Sequence, residues 1–331
     1  MATINATLPT LADITSRMDP NGSIASVVEV LSQDNTILMD AVWKEGNLPT
    51  GHVFTSRVAL PSGTWRMFNQ GVAPSKSRTS QVTEACGMLE AYAKVDCGLA
   101  ELNGNGPAFR ASENSAFIQG LSNDLETAFI YSSTKTDPEK IMGLAPRLDS
   151  TTGSWGGQII DSQIAASGSD QSSIWFVGWG PETVFGMFPK GMKSGFTEED
   201  LGKQLTRDSG GTNEFTAWVT HYKWNVGLCV KDARYVVRLA NIDTSAIAET
   251  GKLLLQDMVK SVHQLRKTGA RLAGYCNKKI GTYLHLQALD SVANATLSIE
   301  KDWAGRPGVT HFLGIPMRET DGITNTEAII T

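Results

Sequence analysis

The sequence predicts an α+β fold. Three observations point there: apolar residues recur at helical spacing in stretches near residues 23–44, 113–131 and 246–268; strand-like runs cluster between these stretches; and the 331 residues are 41% hydrophobic and 19% charged. Clustered strands argue against the strict alternation that builds a doubly wound parallel sheet. The length fits about two domains, or one large core with insertions.

Taken in order, Ile24, Val27, Val28, Leu31, Leu38 and Val42 predict one amphipathic helix over Ser23 to Lys44. Asp19-Pro20-Asn21-Gly22 supplies the turn before it, Ser23 a candidate N-cap, and Gly46 a C-terminal stop. From Asn47 to Thr83, HVFTSRVAL and TWRMF read as short strands of a long hairpin-like excursion, with LPSG and NQGVAPSKSRTSQV as turns. The stretch from Gln81 to Leu102 reads as a returning strand, closed by the turn Asn103 to Pro107. Phe117, Leu121, Leu125 and Phe129 lie four apart and predict a helix over Glu113 to Tyr131, its stripe facing a core.

Beyond a Gly/Ser/Thr-rich loop opened by Asp137-Pro138, SIWFVGWG and VFGMFP read as a hairpin of aromatic strands. A polar stretch with Glu198-Glu199-Asp200 follows. The run EFTAWVTHYKWNVGLCVKDARYVVRLANI then alternates like two or three strands, with Trp218 and Trp224 covering a sheet. Leu254, Met258, Val262 and Leu265 predict a helix over Ala246 to Thr268; RLAGYC reads as a strand, and Lys278 to Asp290 as a last helix.

Charge narrows the function. The formal net charge is -5, whereas a protein whose affinity comes from neutralising phosphates needs a Lys and Arg surplus. Nucleic acid is thus expected as a neighbour at most. The first residues show no basic leader with an apolar run, so a cytoplasmic product is expected. No window approaches the roughly twenty apolar residues of a membrane span. Cys86, Cys97, Cys229 and Cys276 are scattered, without a CxxC pair, and read as small buried hydrophobes.

Two tracts break the acidic average. Between Glu45 and Glu84 there is no acid, while Arg57, Arg66, Lys76 and Arg78 are present. This is either a solvated loop with a chance bias or a docking arm for an acidic patch. From Met258 to Leu289, Lys260, Arg266, Lys267, Arg271, Lys278 and Lys279 stand without one acid. That tract could face enclosed DNA, or simply set cations against helix C-termini.

Signatures of catalysis are missing: no GxSxG, HExxH, DxDxDG or GxGxxG is found. In GMFPKGMKS, Gly186 and Gly191 have phosphate-loop spacing, but Met192 interrupts the motif and Pro189 removes an amide. His52, His221, His263, His285 and His311 offer no local metal-ligand pair. The expectation is no cofactor, no metal and no enzyme; a Cys-His pair assembled through space stays open.

Long phrases in order carry a resemblance: LADITSRMDPNGSIASVVEVLSQDN, EGNLPTGHVFTSRVALPSGTWRMFNQGVAPSKSRTSQV, MGLAPR, VGWGPETVFGMFPKG, GLCVKDARYVVRLANID and FLGIPMRETDGITNTEA. Together they resemble the major capsid proteins of tailed bacteriophages, especially short-tailed ones. The resemblance implies the Hong Kong 97-type capsid fold: an N-terminal arm (1–46), an extended β-loop with return strands (47–102), a peripheral domain with a long spine helix (103–150), and an axial domain with a central sheet plus the remaining peripheral strands (151–331). It further implies a subunit of an icosahedral shell around double-stranded DNA, built of hexamers and pentamers, with portal, scaffolding or cement proteins as partners and assembly in the host bacterial cytoplasm. Arg57, Arg66, Lys76 and Arg78 would then be inter-subunit docking residues. Some such shells link a loop Lys to an Asn of a neighbour; Lys76 lies in a loop, but no pattern identifies a partner, so no crosslink is predicted. The alternatives are another virion protein, of tail tube or decoration type, and a soluble α+β hydrolase.

Overall fold

A computed structural model of the protein describes residues 35–101, 106–162, 170–207, 212–288, 297–300 and 309–331. Chain order runs α1 (Thr36–Asp40), β1 (Trp43–Glu45), β2 (Gly51–Ala59), β3 (Arg78–Ala85), β4 (Gly87–Asp96), α2 (Cys97–Ala100) and the long α3 (Gly106–Tyr131). There follow β5 (Ile159–Asp161), β6 (Gln171–Trp179), β7 (Val184–Phe188), β8 (Thr197–Arg207), β9 (Glu214–Val230), β10 (Val236–Asp243), α4 (Ile247–Gln264), β11 (Arg271–Cys276), α5 (Lys278–Ala288), β12 (Leu297–Glu300), β13 (Val309–Phe312) and β14 (Ile315–Glu319).

The central sheet grows around β6, every residue of which is buried. Antiparallel β10 and β11 flank it; β14, β13 and β12 extend one side, and β5 the other. Because side chains alternate across a strand, β6 feeds two cores. Trp175, Val177 and Trp179 meet Ile37 of α1 and Leu125, Phe129 and Ile130 at the end of α3. Ile174 and Phe176 meet Leu254, Met258 and Val262 of α4 and Ile280 and Leu284 of α5. Cover on both faces explains why SIWFVGWG shows no polar alternation.

A three-stranded antiparallel unit, β4–β9–β8, extends from this sheet. The 17-residue β9 joins the two, since its last residues pair with β7 of the centre. Along α3, about 39 Å long at 1.5 Å per residue, Phe109 packs with Val95, Leu121 with Ala93 and Tyr222, and Phe129 enters the central core. The predicted stripe is therefore core, and the helix starts seven residues earlier than its spacing indicates.

Several expectations are corrected. The predicted helix over residues 23–44 survives among the described residues only as α1; Ser23 and the turn before it lie outside them. Trp43 to Glu45 is instead a strand paired in parallel with β7. The Trp43 ring fills the space above Gly186, where a Cβ would come within 2.8 Å of it, and lies 6.0 Å from Phe129. Packing of one large aromatic thus overrides helical spacing.

TWRMF is not a strand but part of an exposed loop over residues 60–77. The two aromatic runs form no hairpin: β6 and β7 pair in parallel at Trp179 and Val184 alone, and β7 departs to join β1 and β9. Their link is a tight turn in which Thr183 Oγ1 donates to the Gly178 carbonyl at 2.8 Å. The polar stretch at Glu198 is the strand β8, and the long alternating run is two strands, β9 and β10.

Trp224 packs on Trp43 and Phe196, and Trp218 lies beneath Arg110 and Lys203. All four cysteines are free; three are buried and Cys86 is half-buried, and burial pushes its thiol up to about 11. Residues 103–105 of the predicted turn, and 289–290 at the end of the last predicted helix, lie outside the described residues.

Candidate functional site

The acid-free excursion folds into the antiparallel hairpin β2–β3, paired from Gly51 with Ala85 out to Ala59 with Arg78. Only Glu84 of β3 is buried. Ser75 Oγ donates to the Ser62 carbonyl at 2.9 Å across the loop, and Asn69 sits at φ 65°, a left-handed position that asparagine tolerates. The loop bares its large apolar side chains: Trp65 is 103% exposed, Phe68 94%, Leu60 74% and Met67 68%. Burying one such side chain is worth roughly 1.5–3 kcal/mol, so the loop tip carries apolar area that association would remove from water.

Arg57, Arg66, Lys76 and Arg78 are all exposed. Arg57 and Arg78 stand at the outer end of the paired strands, where the register slips; Arg66 lies inside the apolar tip and Lys76 on the return. The sequence singles out these charges but not the aromatics beside them. The available signal was Trp, Met and Phe within a turn-rich segment lacking a further apolar face.

The hairpin base is held tightly. Gly51 sits so close to β3 that a Cβ there would come within 2.0 Å of the Glu84 carbonyl oxygen. Beside it, His52 is buried edge-on to Phe185 at 5.5 Å. Burial and the positive charges of Lys231 and Lys44 hold its pKa below the usual 6.5. Opposite His52, Glu84 takes both arms of the Arg147 guanidinium, which also donates to the carbonyls of Gly143 and Met142. On the neighbouring surface Lys231 and Lys44 both reach Glu182, at 2.8 and 2.9 Å, and draw its carboxyl down to about 2.

The second basic tract is dispersed over several elements. Lys260 pairs with the buried Asp257, and Arg271 with the buried Asp40. Arg266 lies over the Tyr235 ring and, with Lys267, just beyond the C-terminus of α4, where a cation is favourable. Lys278 and Lys279 occupy the first turn of α5, the end where the helix dipole disfavours them, so the dipole does not account for their position. All six are exposed.

The acidic run on β8 is largely occupied within the chain: Asp200 binds Arg110 at 2.8 Å and Glu198 accepts from Asn114 at 3.2 Å. Among the described residues no group of three His, Cys, Asp or Glu side chains could hold a metal ion, and no helix is long and apolar enough to cross a membrane.

No curated protein matches the chain. A solved structure of bacteriophage Epsilon15 is similar over 100% of this chain and 99% of its own, at 38% identity and a TM-score of 0.77. The capsid of bacteriophage JBD30 aligns over 90% of this chain and 95% of its own, at 8% identity and a TM-score of 0.47. The holo-SrpI encapsulin complex of Synechococcus elongatus aligns over 73% and 93%, at 10% identity and 0.43. Only the first of these likenesses is strong enough to carry an argument, and with it the architecture is a phage capsid fold of Hong Kong 97 type. The profile of the family described as Major capsid protein GP7 matches residues 19–331, and the chain belongs to that family.

Proposed function

We propose that this major capsid protein builds its shell through the hairpin β2–β3, whose apolar, basic tip docks on a neighbouring copy. The observation that carries the reading is the tip itself: Trp65 and Phe68 almost fully in water, with Arg66 between them and no acid from residue 46 to 83. Apolar burial supplies the affinity, while Arg57, Arg66, Lys76 and Arg78 fix register and orientation. Each contact is weak enough to reverse, which permits correction of errors, and closure multiplies the contacts into a stable container.

By role, the chain divides into an arm (1–46), an extended loop with return strands (47–102), a peripheral part carrying the long helix (103–150) and an axial part with the remaining strands (151–331). Hexamers and pentamers of this unit form an icosahedral shell in the host bacterial cytoplasm around double-stranded DNA, with portal, scaffolding or cement proteins as further partners. Lys260, Arg266, Lys267, Arg271, Lys278 and Lys279 are its candidate lumen-facing cations. Lys267, Lys278 and Lys279 are the stronger ones, because Lys260 and Arg271 already neutralise buried acids. The subunit catalyses nothing; its work is association.

The test is Arg66→Glu with Arg78→Glu. Circular dichroism of the variant subunit is expected to be unchanged while the yield of shells by electron microscopy falls sharply. An undiminished yield would sink the docking role.

A further inference from the structure

We infer that the hairpin β2–β3 of a free subunit folds back over its own body, closing a groove at its side, and has to rise again before its tip can dock. This rests on the shell-subunit reading above and adds a regulation to it. The groove, about 950 Å³, runs between β2 and the segment that leads from β9 into β10. One wall is the ribbon itself, where Val58 and Leu60 are 67% and 74% exposed. The other wall is the body, where Trp155 and Ala233 are half-buried. Closure removes apolar side chains of both walls from water. Charge does not oppose it: Arg57 shares the groove with Glu182 and Asp232, and the body's own cations, Lys231 and Arg234, already bind these acids at 2.8 and 2.7 Å.

The ribbon is built to bend where the groove lies. Among the described residues β2 and β3 form a sheet of two strands with no third, and such a ribbon is only marginally stable by itself in water. Its anchors, Glu84 and His52, hold the base alone. Farther out Arg57 pairs with Thr79 and Ala59 with Arg78, so Val58 is an extra residue that nothing on β3 opposes. A bulge of this kind interrupts the ladder and bends the strand that carries it. Val58 also lines the groove, so the weak point of the ribbon faces the space it would fill. Bending there carries Trp65 to Phe68 toward their own subunit and away from a neighbour. A closed copy cannot dock, so the fraction of copies standing open sets the effective concentration for assembly.

The test places one thiol on each wall, Val58→Cys with Ala233→Cys. A disulfide needs Cα atoms within about 7 Å of each other, so it reports a shut groove. Oxidised glutathione should join the two in most free subunits of this variant and in none that already stand in a shell. Joined subunits should enter no shell until a reductant is added. Ala233→Lys, which props the groove open from the body side, should speed assembly about fivefold, the gain when one copy in about five stands open at the start. The inference is overturned if no disulfide forms although each single-cysteine variant reacts with maleimide, if it forms equally in free subunits and shells, or if Ala233→Lys assembles no faster than the wild type. The docking role stands in any of these events, because its own test changes Arg66 and Arg78, which lie outside the groove. An undiminished shell yield in that other test would remove the docking role, and the disulfide would still report closure.

Discussion

Arg147 grips Glu84 through both terminal nitrogens of its guanidinium, at 2.5 and 2.8 Å, with both side chains less than one-tenth exposed. The pair lies 63 residues apart in sequence and fastens the hairpin to the segment that follows the long helix. A fifth bond, from Arg147 to the Leu228 carbonyl at 3.4 Å, reaches β9, so the hairpin, the loop after the long helix and β9 converge on one guanidinium.

Removing one partner of a buried pair leaves the other charge uncompensated. Glu84→Ala should cost about 3–5 kcal/mol of local or global stability. Hydrogen exchange is the measurement: amides of Gly51 to Phe54 should exchange faster, while those of β6 stay protected. Equal protection at the hairpin base in variant and wild type would show that the pair anchors nothing.

His52 gives the same base a pH dependence. Its folded-state pKa lies below 6.5, through burial first and then Lys231 and Lys44, with Glu182 opposing. Between the folded and unfolded values the folded chain binds fewer protons, so its stability is complete above about pH 6.5 and declines as pH falls through the lower folded value. Glu182, drawn down to about 2 in the folded chain, stays ionised there throughout this window, and its own contribution to the slope begins only below about pH 5.5, where the unfolded carboxyl starts to protonate. Urea midpoints of the free subunit should therefore drop between about pH 7 and pH 5, and the drop should be smaller in His52→Phe. Identical slopes would remove His52 from the account.

What was legible in the sequence follows from what makes each element. The long helix showed its stripe because Leu121, Leu125 and Phe129 meet apolar partners at helical spacing, and RLAGYC is a strand with the predicted ends. The helix over Ser23 to Lys44 misled at its end because Trp43 follows the demands of Gly186 and Phe129, which are distant in the chain. The hairpin was visible through its turns and missing acids, but its anchor was not, since no local pattern links Glu84 to Arg147 or places His52 opposite them.

The long helix serves both parts of the fold, and its Phe129 is the joint. Phe129 is fully buried between Trp43 and the central core. Phe129→Ala should destabilise the subunit by about 3–5 kcal/mol, and the more exposed Ile118→Ala on the same helix by less than about 0.5. Chemical denaturation of both variants checks this; comparable losses would mean the helix is held by its whole length and not by this end.

Aromatic and charged tip residues should separate by their response to salt. Trp65→Ala and Phe68→Ala remove side chains that touch almost nothing in the free subunit, so its melting temperature should not change. In the shell each loses an apolar burial of roughly 1.5–3 kcal/mol, raising the concentration needed for assembly about tenfold or more, at any ionic strength. Arg66→Glu acts through charge, which is screened over about 8 Å at physiological salt and about 3 Å at 1 M. Its defect should therefore shrink as salt is added, while that of Trp65→Ala persists. Light scattering across a salt series distinguishes the two, and a tryptophan variant that recovered with salt as the arginine variant does would show that the tip binds by charge alone.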